Sequence, residues 1–412
     1  HAFIERAFPL IAKNLHRETV GNYSLLYTWT GRHPEKSPLI LCAHQDVVPA
    51  DPASLGLWHH PPFDGVIADG AVWGRGTLDD KSGVMGLLEA TEGLLARGFT
   101  PDRTIYLAFG HNEEGGGDHN GAGDIADTLK SRGVRDAVLV DEGGWIVDIV
   151  PGVKPHVALV GVAEKGFVSI ELTMTSEGGH SSMPPNETVI GVLARAVDRV
   201  ERAPMPAHLD GAGAALFDTL APEMSFGFKV LFGNRWLTRP LLISQLAKKP
   251  TTNATVRTTT APTIFQAGDK ENVLASTGRA VINFRLLPGD TADAVLTHVR
   301  SVVTDSRVDV HFYQGSRGFA PSDVSPSNTE AFAALGGAVR SVLPDVLVAP
   351  YLTVGATDAR QYGAVTSARY RFLPINQPGG NELLHAPDEH IYVTVYGETI
   401  RMYGAMIAAM SR

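Results

Sequence analysis

One cysteine, Cys42, is all that 412 residues contain, so no disulfide can close within the chain and no zinc site can rest on several thiolates. Positive charge is in deficit: 35 Lys and Arg against 44 Asp and Glu leave a net charge of −9. That balance offers no footprint for nucleic acid or for an anionic membrane. No apolar run reaches the roughly 18 residues that a spanning helix needs. Low-complexity tracts and repeat periods are also missing. The chain begins at His1 rather than at methionine, so a leader could have been removed, and the near-absence of cysteine leaves the compartment open.

What is present is ordinary globular composition, 44% hydrophobic and 19% charged, at a length that implies roughly two to three domains. The first third alternates short apolar runs with helical patterns. Strands are expected at Leu39–Ala43, Thr104–Phe109 and Ala137–Val140, and helices at Lys81–Arg97 and Ile125–Ser131. Such alternation implies βαβ units and a mixed, mostly parallel sheet covered by helices. After Gly161 the texture changes to long alternating strands, at Phe167–Thr175 and Ala280–Leu286, with helices near Val189–Arg202 and Asp293–Val303. From Thr329 the first texture returns, with helices expected at Glu330–Val342 and Val393–Met410. The fold class is therefore α/β with an inserted α+β domain: residues 1–161 and 316–412 form one domain, and 162–315 the insertion. Within the insertion, 204–252 is unusually apolar (Phe226, Phe228, Phe232, Trp236, Leu237, Leu241). It reads as core or subunit interface, or as a wall for a greasy substrate group.

Four predicted strand ends carry metal-ligand side chains, the place where open α/β sheets put their sites. Leu41-Cys42-Ala43-His44-Gln45-Asp46 sends out an imidazole, with a carboxylate two residues on that can orient it. Gly74-Arg75-Gly76-Thr77-Leu78-Asp79-Asp80-Lys81 delivers two carboxylates to a helix start, where a cap needs only one. Gly110-His111-Asn112-Glu113-Glu114-Gly115-Gly116-Gly117 offers adjacent glutamates pointing different ways, one for a metal and one for a proton. Val140-Asp141-Glu142-Gly143-Gly144 ends in acid and glycine again. One histidine with several carboxylates and no thiolate suits a hydrolytic zinc centre with open positions, which manganese or cobalt could also occupy.

These motifs in this order resemble the two-zinc metallopeptidase family of aminoacylases, carnosinase, glutamate carboxypeptidase and carboxypeptidase S. The branch most similar is that of the N-fatty-acyl-amino-acid synthase/hydrolases and carboxypeptidase S. Further stretches carry the likeness: Ala43-His44-Gln45-Asp46-Val47-Val48-Pro49, Pro62-Phe63-Asp64-Gly65, Gly178-Gly179-His180-Ser181-Ser182, Arg257-Thr258-Thr259-Thr260, Asn283-Phe284-Arg285, Thr357-Asp358-Ala359-Arg360 and Leu383-Leu384-His385-Ala386-Pro387-Asp388-Glu389. The resemblance implies a ferredoxin-like lid and two Zn2+ ions bridged by Asp79. His44 and Asp141 would complete one ion's ligands, Glu114 and His385 the other's, with Asp46 behind His44 and a cis Asp79–Asp80 peptide. Glu113 would be the general base, His180 the oxyanion partner once the lid closes, and Asn272 and Arg285 the grip on a free carboxylate.

The implied substrate is an N-acyl amino acid, hydrolysed at its amide or formed by the reverse reaction. A short peptide cut by a carboxypeptidase or dipeptidase is the alternative, and a catalytically silent binding protein of the same fold is the alternative of another class. The resemblance also admits a homodimer through the lid and leans toward an extracytoplasmic location.

Overall fold

The structure is a computed structural model that describes residues 1–115, 121–147, 153 and 156–412; Gly116, Gly117 and His119 lie outside the described residues. The chain divides into two compact units, one of residues 1–162, 215–229 and 325–412, the other of 163–214 and 230–324. The second unit thus runs past the expected 315, and residues 215–229 of the apolar segment group with the first unit.

The first unit is built on a nine-stranded mixed sheet. Its centre is parallel: Ile105–Gly110, Leu39–His44, Val138–Asp141 and Ala368–Arg371 lie side by side in that order. Antiparallel strands flank this centre, with His16–Val20 and Ser24–Trp29 on one side and Val157–Glu164 on the other. Parallel strands must be covered on both faces, and every residue of Leu39–His44 is buried. The helix Lys81–Ala96 starts where the Asp80 carboxylate accepts the Gly83 N–H at 3.1 Å. It buries Val84, Leu87, Leu88 and Leu94, spaced at helical periodicity, each worth about 1.5–3 kcal/mol of transfer free energy. It packs against the last helix, Val393–Met410; a Cβ on Gly86 would sit 3.0 Å from the Tyr403 ring, so glycine there permits the close approach.

The second unit is an antiparallel sheet in the order Thr259–Ala267, Thr277–Leu286, Gly166–Thr175, Asp309–Phe312, with helices Val189–Arg202 and Ala292–Val302. Strand, helix, two strands, helix, strand along the chain, with the sheet in that spatial order, is the ferredoxin-like arrangement. Val168, Ile170, Leu172 and Met174 alternate onto one face. They meet Val192, Leu193, Ala196 and Val200 of the first helix and Val295 and Val299 of the second.

The apolar 204–252 stretch folds as four short helices, Gly211–Leu220, Phe226–Gly233, Arg235–Leu246 and Pro250–Ala254. Phe232 and Leu242 turn inward, whereas Phe226 is 81% exposed and Trp236 83%, and Leu237 and Leu241 are exposed as well. Core packing therefore accounts for only part of this segment. Among the described residues no helix is long and apolar enough to cross a membrane.

Candidate metal centre

Three parallel strands end together. His44 pairs in register with Gly110, and Leu41 with Val140, so the loops carrying His44, Glu113–Glu114 and Asp141–Glu142 emerge at one edge. Gly110 has no room for a side chain: a Cβ there would lie 2.6 Å from an oxygen of Asp358.

Asp79 is the hub. One of its carboxylate oxygens lies 2.9 Å from His44 Nε2 and the other 3.1 Å from His385 Nε2. His385 Nε2 is also 2.8 Å from Glu114 Oε1. Two groups of side chains can converge on a cation: Asp79, Glu114 and His385 form one, and His44, Glu113 and Glu114 the other. Asp46 ties the loops together, accepting the backbone N–H groups of Glu113 at 3.1 Å and Glu114 at 3.0 Å, while its carbonyl stands 3.1 Å from His44 Nδ1. The Asp79–Asp80 peptide is cis. His385 reaches the centre from φ +60°, a left-handed conformation that costs a non-glycine residue free energy and clusters at functional sites.

Charge here is arranged for a cation. Burial would raise Asp79, yet the hydrogen bonds with His385 and His44 hold it below the ordinary carboxylate range. His385 is pushed up to about 10 by Asp79 and Glu114. Burial opposes charge on His44, but Asp46 and Asp79 raise it well above the usual histidine value. Glu113 is pushed up to about 8 by burial, opposed by His44 and reinforced by Asp358, Glu114 and Asp79. Each imidazole thus stands against carboxylates whose charge also favours a divalent cation. Nitrogen and carboxylate donors without thiolate fit a hydrolytic metal site.

Asp141 is the last residue of the strand Val138–Asp141. It is buried at the strand end and accepts the Ala359 N–H at 2.6 Å, so the Thr357-Asp358-Ala359-Arg360 motif caps it. Among the described residues neither Asp141 nor Glu142 is in either converging group. The next residue, Glu142, feels the charges of Asp79, Asp141, Glu113 and His44. Burial first, and then Asp79, Asp141 and Glu113, raise it well above the carboxylate range. Adjacent residues at a strand end point opposite ways, so sequence alone does not fix which of the two acids faces the histidine.

His180, Asn272 and Arg285 belong to the second unit. A two-stranded ribbon pairs His180 with Val273, which puts Asn272 beside it; the Asn272 carbonyl accepts the Ser181 N–H at 3.2 Å. His180 Nδ1 accepts the Ser182 N–H at 3.1 Å, which leaves Nε2 to carry the proton of the neutral ring. Arg285 lies in the four-stranded sheet instead, its guanidinium 5.0 Å over the Phe167 ring. Nearby Lys165, which no sequence motif singles out, is buried and donates to the carbonyls of Ala254 and Arg257. Burial and the Arg285 charge bring it down to about 7. Arg75 and Glu389 stand inside recognisable motifs that give them no role, yet both are buried and paired at 2.7 Å beside Asp79 and His385. His111 turns away, its Nδ1 2.7 Å from Ser24 Oγ, and His59 bonds Asp388.

A mixed sheet with helices on its faces, and carboxylates and imidazoles converging at the strand ends, defines a metal-dependent hydrolase. The chain belongs to peptidase family M20/M25/M40, whose model matches residues 40–409. It is a hydrolase of the metallopeptidase class that takes a divalent metal and acts on small substrates. It is 40% identical to the probable carboxypeptidase S-like 2 of Dictyostelium discoideum, over 99% of this chain and 78% of that protein. It is 41% identical to the N-fatty-acyl-amino acid synthase/hydrolase PM20D1 of Homo sapiens, over 98% of this chain and 81% of that one. Among solved structures, the M20 family metallo-carboxypeptidase Sso-CP2 from Sulfolobus solfataricus superposes with a TM-score of 0.68 at 17% identity, covering 100% of this chain and 92% of that one. Human carnosine dipeptidase 1 gives 0.64 at 16% identity, covering 100% and 90%.

Proposed function

We propose that the chain hydrolyses the amide bond of N-acyl amino acids that keep a free carboxylate, with long-chain fatty acyl groups preferred, and that the same site can run the reaction in reverse. Support for the acyl class comes from the relatives at 40–41% identity over nearly the whole chain, several of them N-fatty-acyl-amino acid synthase/hydrolases. The observation that carries the chemistry is the Asp79 carboxylate, with one oxygen toward each of two imidazoles. That geometry suits two cations sharing Asp79, and zinc is the best match to the donor set. His385 and Glu114 would hold one ion, and His44 the other; Glu142 rather than Asp141 is our choice for the second carboxylate on the His44 side. When bound, such ions lower the pKa of water and polarise an amide oxygen.

The protein's own part is proton handling and orientation. Glu113, with its proton affinity raised by burial, takes the proton from the attacking water and passes it to the departing amine. Asp46 fixes where Glu113 stands through the Glu113 N–H. His180, whose ring can donate from Nε2, is our candidate for the oxyanion, and Arg285 and Asn272 for the substrate carboxylate. A homodimer through the second unit belongs to the same proposal and is read by light scattering.

The test is product formation from N-acyl phenylalanines, acetyl to oleoyl, with dipeptides and carboxyl-amidated analogues, each with and without a chelator. Long-chain preference that is lost on chelation and on amidation is the expected result. Preference for dipeptides would move the assignment to the peptidase side of the family. Equal turnover of amidated substrates would remove Arg285 and Asn272 from the carboxylate grip.

A further inference from the structure

Two segments about three hundred residues apart, residues 75–79 and 385–389, bring Asp79 and His385 to the centre, and one buried ion pair welds them. Arg75 Nη1 lies 2.7 Å from Glu389 Oε2, with the two side chains 4% and 0% exposed. The other Glu389 oxygen accepts two backbone N–H groups, from Leu78 at 2.8 Å and from Asp79 itself at 3.2 Å. Arg75 answers in kind, donating from Nη2 to the His385 carbonyl at 3.1 Å and from Nη1 to the Ala386 carbonyl at 3.2 Å. The Trp58 ring covers the guanidinium at 5.2 Å, and the Gly74 N–H donates to the Glu389 carbonyl at 2.9 Å.

A buried ion pair is weak evidence for stability by itself, since an apolar pair often serves as well. What an apolar pair could not do is hydrogen-bond the backbones of Asp79 and His385. His385 sits at φ +60° and needs an external hold, which Arg75 places on its carbonyl. The planar guanidinium serves two successive carbonyls and one carboxylate at once, which a lysine ammonium cannot match in geometry.

We propose that Arg75 and Glu389 are positioning residues for the metal centre, setting the distance between Asp79 and His385 and hence the affinity for the cation those two share. This rests on the metal-centre assignment above. Neither residue needs to touch metal or substrate.

The test uses the full chain and zinc alone. Zinc content is measured after desalting, and affinity by competition with a chromophoric chelator, for the parent, Arg75→Lys and Glu389→Gln. Circular dichroism and the metal-free melting temperature monitor the fold. The parent is expected to hold two zinc ions. The variants should keep the fold and weaken at least one ion by roughly 10- to 100-fold, the range seen when groups orienting a ligand are removed. The zinc-induced rise in melting temperature should shrink in step. A merely structural pair would lower the metal-free melting temperature and leave zinc affinity of the folded variant unchanged; that result overturns the proposal. If Glu389→Gln does not fold, Arg75→Lys, which keeps the charge, decides the matter. A parent that binds no zinc would instead sink the metal-centre assignment itself, whatever the variants do.

Discussion

Glu113 and Glu114 differ by one position, and Asp46 holds the backbone N–H of both, yet their side chains part company. Glu114 meets His385, whereas Glu113 stays enclosed near His44 with its proton affinity raised. Sequence supplied the pair; burial, with the nearby carboxylates, raises the proton affinity of Glu113. Glu113→Ala should therefore lower kcat by about 10²- to 10⁴-fold while leaving metal content close to the parent's, read by steady-state kinetics beside metal analysis. Asp79→Ala is the contrast, because its two oxygens serve both imidazoles; it should lose metal along with activity. An active Glu113→Ala enzyme would remove Glu113 as the base.

Elements with strong periodicity are legible in the sequence. The spacing predicts helices at Val189–Arg202, Glu330–Val342 and Val393–Met410, and the same bounds are found, because each presents one apolar stripe to a sheet or a neighbouring helix. The 204–252 segment is not legible in that way. Its residues are apolar nearly all round, and a pattern without a polar face does not say which side turns inward. The loop after Val138–Asp141 shows how closely elements constrain the site. A Cβ on Gly144 would collide with the Leu159 and Arg371 carbonyl oxygens, both backbone atoms that cannot swing aside. Gly144→Ala should cost about 1–3 kcal/mol or more in urea unfolding and disturb the position of Glu142. A variant as stable as the parent would show that this strand end can relax.

For the molecule as a whole, the centre makes metal-free stability depend on pH. Glu113 rises from the ordinary carboxylate value to about 8 and His385 from the ordinary histidine value to about 10. Both folded-state values lie above the unfolded ones, so the folded chain binds more protons between them. The stability they lend is complete below their unfolded values of about 4.3 and 6.5. It is lost as pH climbs through about 8 for Glu113 and about 10 for His385. The chelated protein should melt at progressively lower temperature from about pH 4.3 to 10, while metal-loaded protein should hold its melting temperature better. Scanning fluorimetry with and without chelator reads both curves, and parallel curves would exclude the coupling. His385 is half-exposed, so solvent screening keeps its share modest.

What the sequence determined by itself was the chemistry in kit form: the fold class, an inserted second domain, ligand types at strand ends, and adjacent glutamates for two tasks. Local propensity and short-range spacing fix such things, because alternation, helical periodicity and turn glycines act over a few residues. Only the tertiary structure decided which atoms converge. It joined Asp79 to His385 across 306 positions, and welded both with Arg75 and Glu389. It also turned Trp236 outward, where hydrophobicity alone had allowed it a place in the core. Those outcomes depend on side-chain direction, burial and long-range packing, and a residue's distant neighbours are not written in its own stretch of chain.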